Sequence, residues 1–197
     1  MVGSAIFDCG REDPPAHPLA ATRSPFDGTR ILDSSLEGQL WLVHTKPRQE
    51  KALAADLESL RIPVFLPVAK FRRKYGGRTT EVRLPLFPSY LFLRGDLDQR
   101  LTALRTHRVV NVIDVVDQDR LSSSLHQILC LTNSTEPVDV YPGIRTGKRC
   151  RIIRGSLKGL EGTVIRKRNV CRVSIAVEVL GQSAEVEIDA SLLEVIE

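Results

Sequence analysis

The residues with the strongest chemical signature lie between Arg145 and Asn169. Gly155, Gly159 and Gly162 recur there among Lys148, Arg149, Arg151, Arg154, Lys158, Arg166, Lys167 and Arg168. Glycines among cations are the makings of a phosphate loop, whose backbone N–H groups would cradle an anion. That chemistry fails here. No Gly-Lys-Ser/Thr follows the glycines, and the stretch after them reads as strand, not helix. The glycines instead mark backbone that takes positive φ or passes close to another segment. They sit in a turn between a strand over Cys150–Arg154 and a second over Thr163–Lys167.

A second basic cluster runs from Lys70 to Arg83. It holds Arg72, Arg73, Lys74 and Arg78, with Glu81 as its lone acid. Tyr75-Gly76-Gly77 reads as a hairpin tip, since Gly-Gly permits the positive φ of a primed turn. A basic tip can contact phosphates, and it can equally be a solvated loop with no partner.

Catalytic and metal chemistry find no support. Cys9, Cys130, Cys150 and Cys171 form no Cys-x-x-Cys pair, and no Cys/His cluster has zinc spacing. Cys150 and Cys171 sit in apolar strand patterns and read as buried free thiols. His17, His44, His107 and His126 lie in unrelated contexts, with no carboxylate pair or nucleophile–base set nearby. The chain is read as a non-enzyme without metal or cofactor.

The 197 residues are 42% hydrophobic and 26% charged, with a net charge of +4. This is the composition of one or two small globular domains, mildly basic. No apolar run approaches the roughly 20 residues of a membrane span. The N-terminus has early acids and prolines and lacks a cationic start before an apolar core, so no signal peptide is expected. A cytoplasmic monomer is expected, with no membrane partner.

Residues 1–38 carry Pro14, Pro15, Pro18 and Pro25 without sustained periodicity and read as a disordered tail. A start codon chosen too far upstream would look the same. Order is expected from Trp41–Thr45, a short strand. Pro47 then suits the first turn of a helix, with Leu53, Leu57 and Leu60 at helical spacing and an end at Ile62-Pro63. Strands follow at Val64–Leu66, around the basic hairpin, and at Tyr90–Leu93. Asp96 is placed to cap a helix carrying Leu97, Leu101 and Leu104. Arg108–Val116 reads as a strand. Ser122–Ser124 precede a third helix striped by Leu125, Ile128 and Leu129. Residues 39–132 thus read as an α+β domain, helices packed on an antiparallel sheet. Residues 133–143, with Pro137 and Pro142, read as a linker.

Residues 144–197 read as all-β. Cys171, Val173, Ile175, Val177 and Val179 alternate with Arg172, Ser174, Ala176 and Glu178, the period of a half-buried strand. Some five short strands fit a small SH3-like barrel. Its first half is basic. Glu178, Glu185, Glu187, Asp189, Glu194 and Glu197 follow with no cation among them. That leaves two readings: a barrel with a basic and an acidic side, or cross-strand pairs that neutralise both.

The glycine stretch resembles the KOW motif, carried by Gly155, Lys158, Gly159 and Gly162. The order of parts extends the likeness. Trp41…Thr45-Lys46-Pro47-Arg48-Gln49-Glu50, Val64-Phe65-Leu66-Pro67 and Pro85-Leu86-Phe87-Pro88-Ser89-Tyr90-Leu91-Phe92 precede the glycine-bearing barrel. This looks like the NusG family of transcription elongation and antitermination factors over about residues 40–197. The resemblance implies a NusG N-terminal domain linked to a KOW barrel, binding to bacterial RNA polymerase, and no active site.

It also implies site residues. A clamp-docking patch would comprise Phe87, Pro88 and Tyr90 with Thr45 and Ile128, aromatic anchors being where interface energy concentrates. Residues 87 and 90 fall on opposite faces at strand spacing, which leaves open that one of them is core. Contact to the non-template DNA strand would fall to Lys46, Gln49 and Arg108, with Arg48 and His107 beside them. Asp56 and Leu60 depart from the specialised antiterminators of the family near positions that face DNA there. The gate-loop stretch reads Arg100-Leu101-Thr102-Ala103 where those antiterminators carry a His-Thr-rich run. The barrel would recruit a ribosomal protein or a termination factor. The strict alternation of Cys171–Val179 predicts a stable barrel and no helical switch. The alternative is an RNA-binding ribosomal or ribosome-assembly KOW protein, although residues 41–92 have no place in a simple one.

Overall fold

A computed structural model describes residues 28–33, 35–75, 78–134, 136, 138–141, 147–167 and 170–196. Strand β1 (Gln39–Thr45) is the spine of the first part. It pairs antiparallel with β5 (Tyr90–Gly95) on one side and β6 (Val109–Asp114) on the other, and β2 (Val64–Phe65) extends the sheet beyond β5. Alternation sends side chains to opposite faces, and here both faces are apolar. Trp41, Val43, Leu91 and Leu93 cluster with Leu53, Ala54 and Leu57 of α1 (Glu50–Ser59) and Ala103 of α2 (Leu97–Arg105). Leu40, Leu42, Phe65 and Phe92 cluster with Leu121, Leu125 and Ile128 of α3 (Gln118–Asn133). The expected α+β architecture is therefore present, with the sheet covered on both faces.

The helices begin and end differently from the sequence reading. Pro47 does not open α1. It occupies the second position of a turn closed by Gln49 N–H donating to Lys46 O at 3.1 Å, with Arg48 at φ 62°. The helix ends before Pro63. Ile62 N–H donates to Leu57 O at 3.0 Å and Arg61 N–H to Glu58 O at 2.9 Å, with Arg61 left-handed at φ 60°. This is a Schellman motif with arginine where glycine is usual, and it leaves Leu60 exposed.

Asp96 caps α2 as expected. Its carboxylate accepts from Gln99 N–H at 2.9 Å while Gln99 Oε1 accepts from Asp96 N–H at 2.8 Å, a capping box. The expected Leu97 and Leu101 stripe is exposed, and Ala103 is the buried residue. Helix α3 starts earlier than expected. Asp117 caps it by accepting from Arg120 N–H at 2.9 Å, so Ser122–Ser124 lie inside it.

Order also begins earlier than Trp41. Arg30–Leu32 form a 3-10 turn with Ile31 fully buried, and Arg94 Nη1 donates to Ile31 O at 3.2 Å. Two adjacent apolar residues have found the open end of the α3 cluster, which composition alone did not reveal. The rest of the expected tail, residues 1–27 and 34, lies outside the described residues.

Strands β3 (Val68–Tyr75) and β4 (Arg78–Pro85) form a separate hairpin, in register from Val68↔Pro85 to Tyr75↔Arg78. The register leaves Gly76 and Gly77 as the connection. They lie outside the described residues, as do the side chains of Arg72, Arg73 and Lys74.

The C-terminal part is a six-stranded antiparallel sheet in the order β12-β8-β9-β10-β11-β7. These are β7 (Val138–Tyr141), β8 (Lys148–Ile152), β9 (Glu161–Lys167), β10 (Val170–Val177), β11 (Gln182–Ile188) and β12 (Leu193–Val195). Its core holds Cys150, Ile152, Val173, Ile175, Val177, Ala184 and Val186. β7 falls inside the stretch expected to be linker. It pairs with β11 through Ser183↔Tyr141 to Val186↔Val138, because β11 has a free edge and an extended Pro-flanked segment can satisfy it.

Part of the charge in the C-terminal sheet is met by cross-strand pairs. Arg151 Nε donates to Glu161 at 2.8 Å, and Arg172 stands 3.7 Å from both Glu185 and Glu187. Arg172 is thus the described cation of the basic half that pairs with acids of the second half, while Lys148 and Lys158 are exposed.

Helix α3 lies between the two parts. It packs on β1 with one side and on β10 with another. Arg120 pairs with Glu178, and Gln127 Oε1 accepts from Glu161 N–H at 3.2 Å.

Candidate nucleic-acid and polymerase interface

Three loops meet at one end of the first sheet. Between His44 and Thr45 the β1–β6 register slips, from His44↔Asn111 to Thr45↔Val109. Such an irregularity bends the strand and re-aims the residues beyond it. Past the bend, Thr45 N–H donates to Ser89 O and Lys46 N–H to Arg108 O, both at 2.8 Å. These bonds tie segment 45–49 to the loops before β5 and before β6. Glu50, buried at the first turn of α1, accepts from Ser89 N–H at 2.8 Å through Oε1.

The corner holds unusual backbone. Arg48, Ser89 and His107 have φ of 62°, 66° and 59°. Left-handed backbone in non-glycine residues is uncommon and concentrates at functional sites. Among the described residues one other non-glycine shares it, Arg61, where it terminates α1.

The expected nucleic-acid residues converge here. Lys46, Arg48 and His107 are exposed. Arg108 Nη1 donates to Gln49 Oε1, and its Nε donates to Asp56 Oδ2 at 2.7 Å. Glu50, Ser89 and Asp56 were not assigned to the site from sequence. Asp56 lies 52 positions from Arg108, and no local pattern joins them.

The expected docking patch needs correcting. Phe87 is fully buried, edge-on to Phe92 with ring centroids 6.5 Å apart, so it is core and no surface anchor. Thr45 is buried, its hydroxyl turned to Lys46 O at 3.1 Å. Ile128 is also buried, in the cluster that spans the sheet, α3 and the C-terminal core. Pro88 is exposed and Tyr90 half-buried, its ring stacked on His44. The surface part of the patch is therefore Pro88 and Tyr90, at the same corner as the cations.

The gate-loop stretch Arg100–Ala103 is helical. Arg100 lies over the Trp41 ring at 5.1 Å and Ala103 is buried. Leu101 is exposed, and Arg100 and Thr102 are half-buried.

The glycine turn forms as its residue types demand. Gly155 and Gly159 both have φ 89°, and Lys158 between them is exposed. Leu157 and Leu160 tuck into the core while Gly159 N–H donates to Ile152 O at 2.8 Å. Gly162 serves the other purpose: a Cβ there would stand 2.6 Å from Ser174 O on the neighbouring strand.

Among the described residues no group of His, Cys, Asp and Glu could hold a metal, and no helix is long and apolar enough to cross a membrane. Burial first, and the nearby Glu161 carboxylate second, raise the Cys150 thiol above its ordinary value. This makes it a packing residue rather than a nucleophile.

The site is thus an exposed cationic corner with left-handed backbone at one end of an antiparallel sheet packed between helices, followed by a β-rich C-terminal part. Residues 39–128 match the family model described as transcription termination factor nusG. Over those residues the chain carries a domain similar to that family. A solved structure of Thermotoga maritima NusG, titled for its domain interaction, is similar at a TM-score of 0.46 and 18% identity, over 82% of this chain and 98% of that one. No curated protein sequence matches the chain.

Proposed function

We propose that the chain is a transcription elongation or antitermination factor that binds the RNA polymerase clamp through Pro88 and Tyr90. Lys46, Arg48, Gln49, His107 and Arg108 then face the non-template DNA strand. The observation that carries the reading is the convergence of these residues on one corner of a domain similar to the NusG family. An aromatic ring at the rim of a cationic surface suits a protein that grips polymerase and nucleic acid together. Contacts from lysine and arginine to phosphate make such binding salt-dependent and weakly sequence-selective.

Docking through Ile128 as well requires α3 to be uncovered, since it is buried beneath the C-terminal part. The sheet bearing Gly155, Lys158, Gly159 and Gly162 is the KOW unit of this reading and recruits a ribosomal protein or a termination factor. The chain works as a cytoplasmic monomer and not as an enzyme.

The test is binding of the full chain to purified bacterial core polymerase, wild type against Tyr90→Asp. Loss of binding by a folded variant supports the reading. Equal binding moves the docking patch away from Tyr90. No binding by the wild type, with retention on ribosomal RNA, replaces this reading with the ribosomal one.

A further inference from the structure

Arg108 is the one cation of the corner with a built environment. Its Nε donates to Asp56 Oδ2 at 2.7 Å and its Nη1 to Gln49 Oε1, while Nη2 stays outside these bonds. The two charged side chains are 36% and 42% exposed, so solvent and ligands reach the pair. Lys46 and Arg48, by contrast, are exposed, and neither enters an ion pair among the described residues.

A guanidinium carrying its own carboxylate is a poor phosphate ligand. The carboxylate cancels much of its attraction for an anion and repels the phosphate itself. The same bonds hold the guanidinium plane in one orientation, which suits a directed hydrogen bond or a stacked base.

We propose that Asp56 restrains Arg108, withdrawing it from phosphate binding and presenting it to the bases of a single-stranded nucleic acid. Phosphate binding is left to Lys46 and Arg48. The inference rests on the nucleic-acid reading of this corner. Asp56 is a positioning residue: it touches Arg108, not the strand.

The experiment uses the full chain and a fluorescent, mixed-sequence single-stranded DNA oligonucleotide, with anisotropy followed over a salt series. The variants are Asp56→Asn, Asp56→Glu, Arg108→Ala and the double variant Asp56→Asn/Arg108→Ala. Asp56→Asn is expected to tighten binding about three- to ten-fold at low salt. It should also steepen the log–log salt slope by about 0.7, one further phosphate contact on a single strand. Asp56→Glu keeps the wild-type slope, and the gain vanishes in the double variant.

An Asp56→Asn protein with wild-type affinity and slope overturns the proposal, as does a gain that survives loss of Arg108. If the wild type binds in either case, the nucleic-acid reading stands without the restraint. If no variant binds, both fall. Binding by Asp56→Asn alone overturns the proposal too, because the native chain then presents Arg108 to no strand. Circular dichroism melting of every variant confirms that each is folded.

Discussion

His44 and Tyr90 face one another across the β1–β5 pair, with ring centroids 4.9 Å apart and planes 18° from parallel. They are the last register pair before Thr45 and the turn toward Lys46. The stack joins the strand that leads into Lys46 and Arg48 to the strand that begins at Tyr90. It is worth about 0.5–1.5 kcal/mol beyond the area buried. A double-mutant cycle of His44→Ala and Tyr90→Ala, read by thermal or urea unfolding, should return a coupling in that range. A coupling near zero would mean that the rings merely lie side by side.

Phe87 and Pro88 are neighbours with opposite fates. Phe87 is fully buried against Phe92, whereas Pro88 is exposed. Phe87→Ala should therefore cost about 3–5 kcal/mol of stability. Pro88→Ala should stay within about 0.5 kcal/mol yet weaken polymerase binding. Calorimetry and a polymerase pull-down on the same pair of variants separate the two roles.

Gly162 has no room for a methyl group, its ideal Cβ position lying 2.6 Å from Ser174 O. Gly162→Ala should lower stability by about 1–3 kcal/mol through forced backbone movement between β9 and β10. Gly155→Ala meets nothing within 4 Å but holds φ 89°, so its cost of about 1–2 kcal/mol is conformational. Denaturant midpoints should order the variants by these causes, with Gly162→Ala alone altering hydrogen exchange in β10.

Burial and then Glu161 hold the Cys150 thiol above its ordinary value of 9.0. The folded chain thus keeps this proton at a pH where the unfolded chain has begun to lose it. The associated stability is complete below the unfolded value and erodes as pH rises through it toward the folded one. Cys150 should alkylate more slowly than half-exposed Cys130 at pH 8. Cys150→Ser should flatten the loss of stability at alkaline pH. Equal labelling rates with iodoacetamide at the two cysteines would contradict this.

Much of the fold was legible because it rests on local rules. The alternation along Cys171–Val177 and the glycines of the 153–162 turn each state their geometry within a few residues. Asp96 found its capping partner three residues away. Other signals misled for physical reasons. The leucines of α2 repeat at helical spacing, yet the sheet has room for Ala103 and leaves Leu97 and Leu101 outside. Pro47 fits a turn as readily as a helix start, and the bond from Gln49 to Lys46 decided for the turn.

The sequence by itself determined the order of the units, the strand and helix types and the cationic residues at Lys46, Arg48 and Arg108. Those depend on periodicity, turn chemistry and composition, which act over a few neighbours. Only the tertiary structure decided that Phe87 and Ile128 are buried, that Ile31 completes a core, and that Asp56 meets Arg108. Burial and ion pairing depend on which distant segments the packed sheet brings together, and no short-range pattern encodes that.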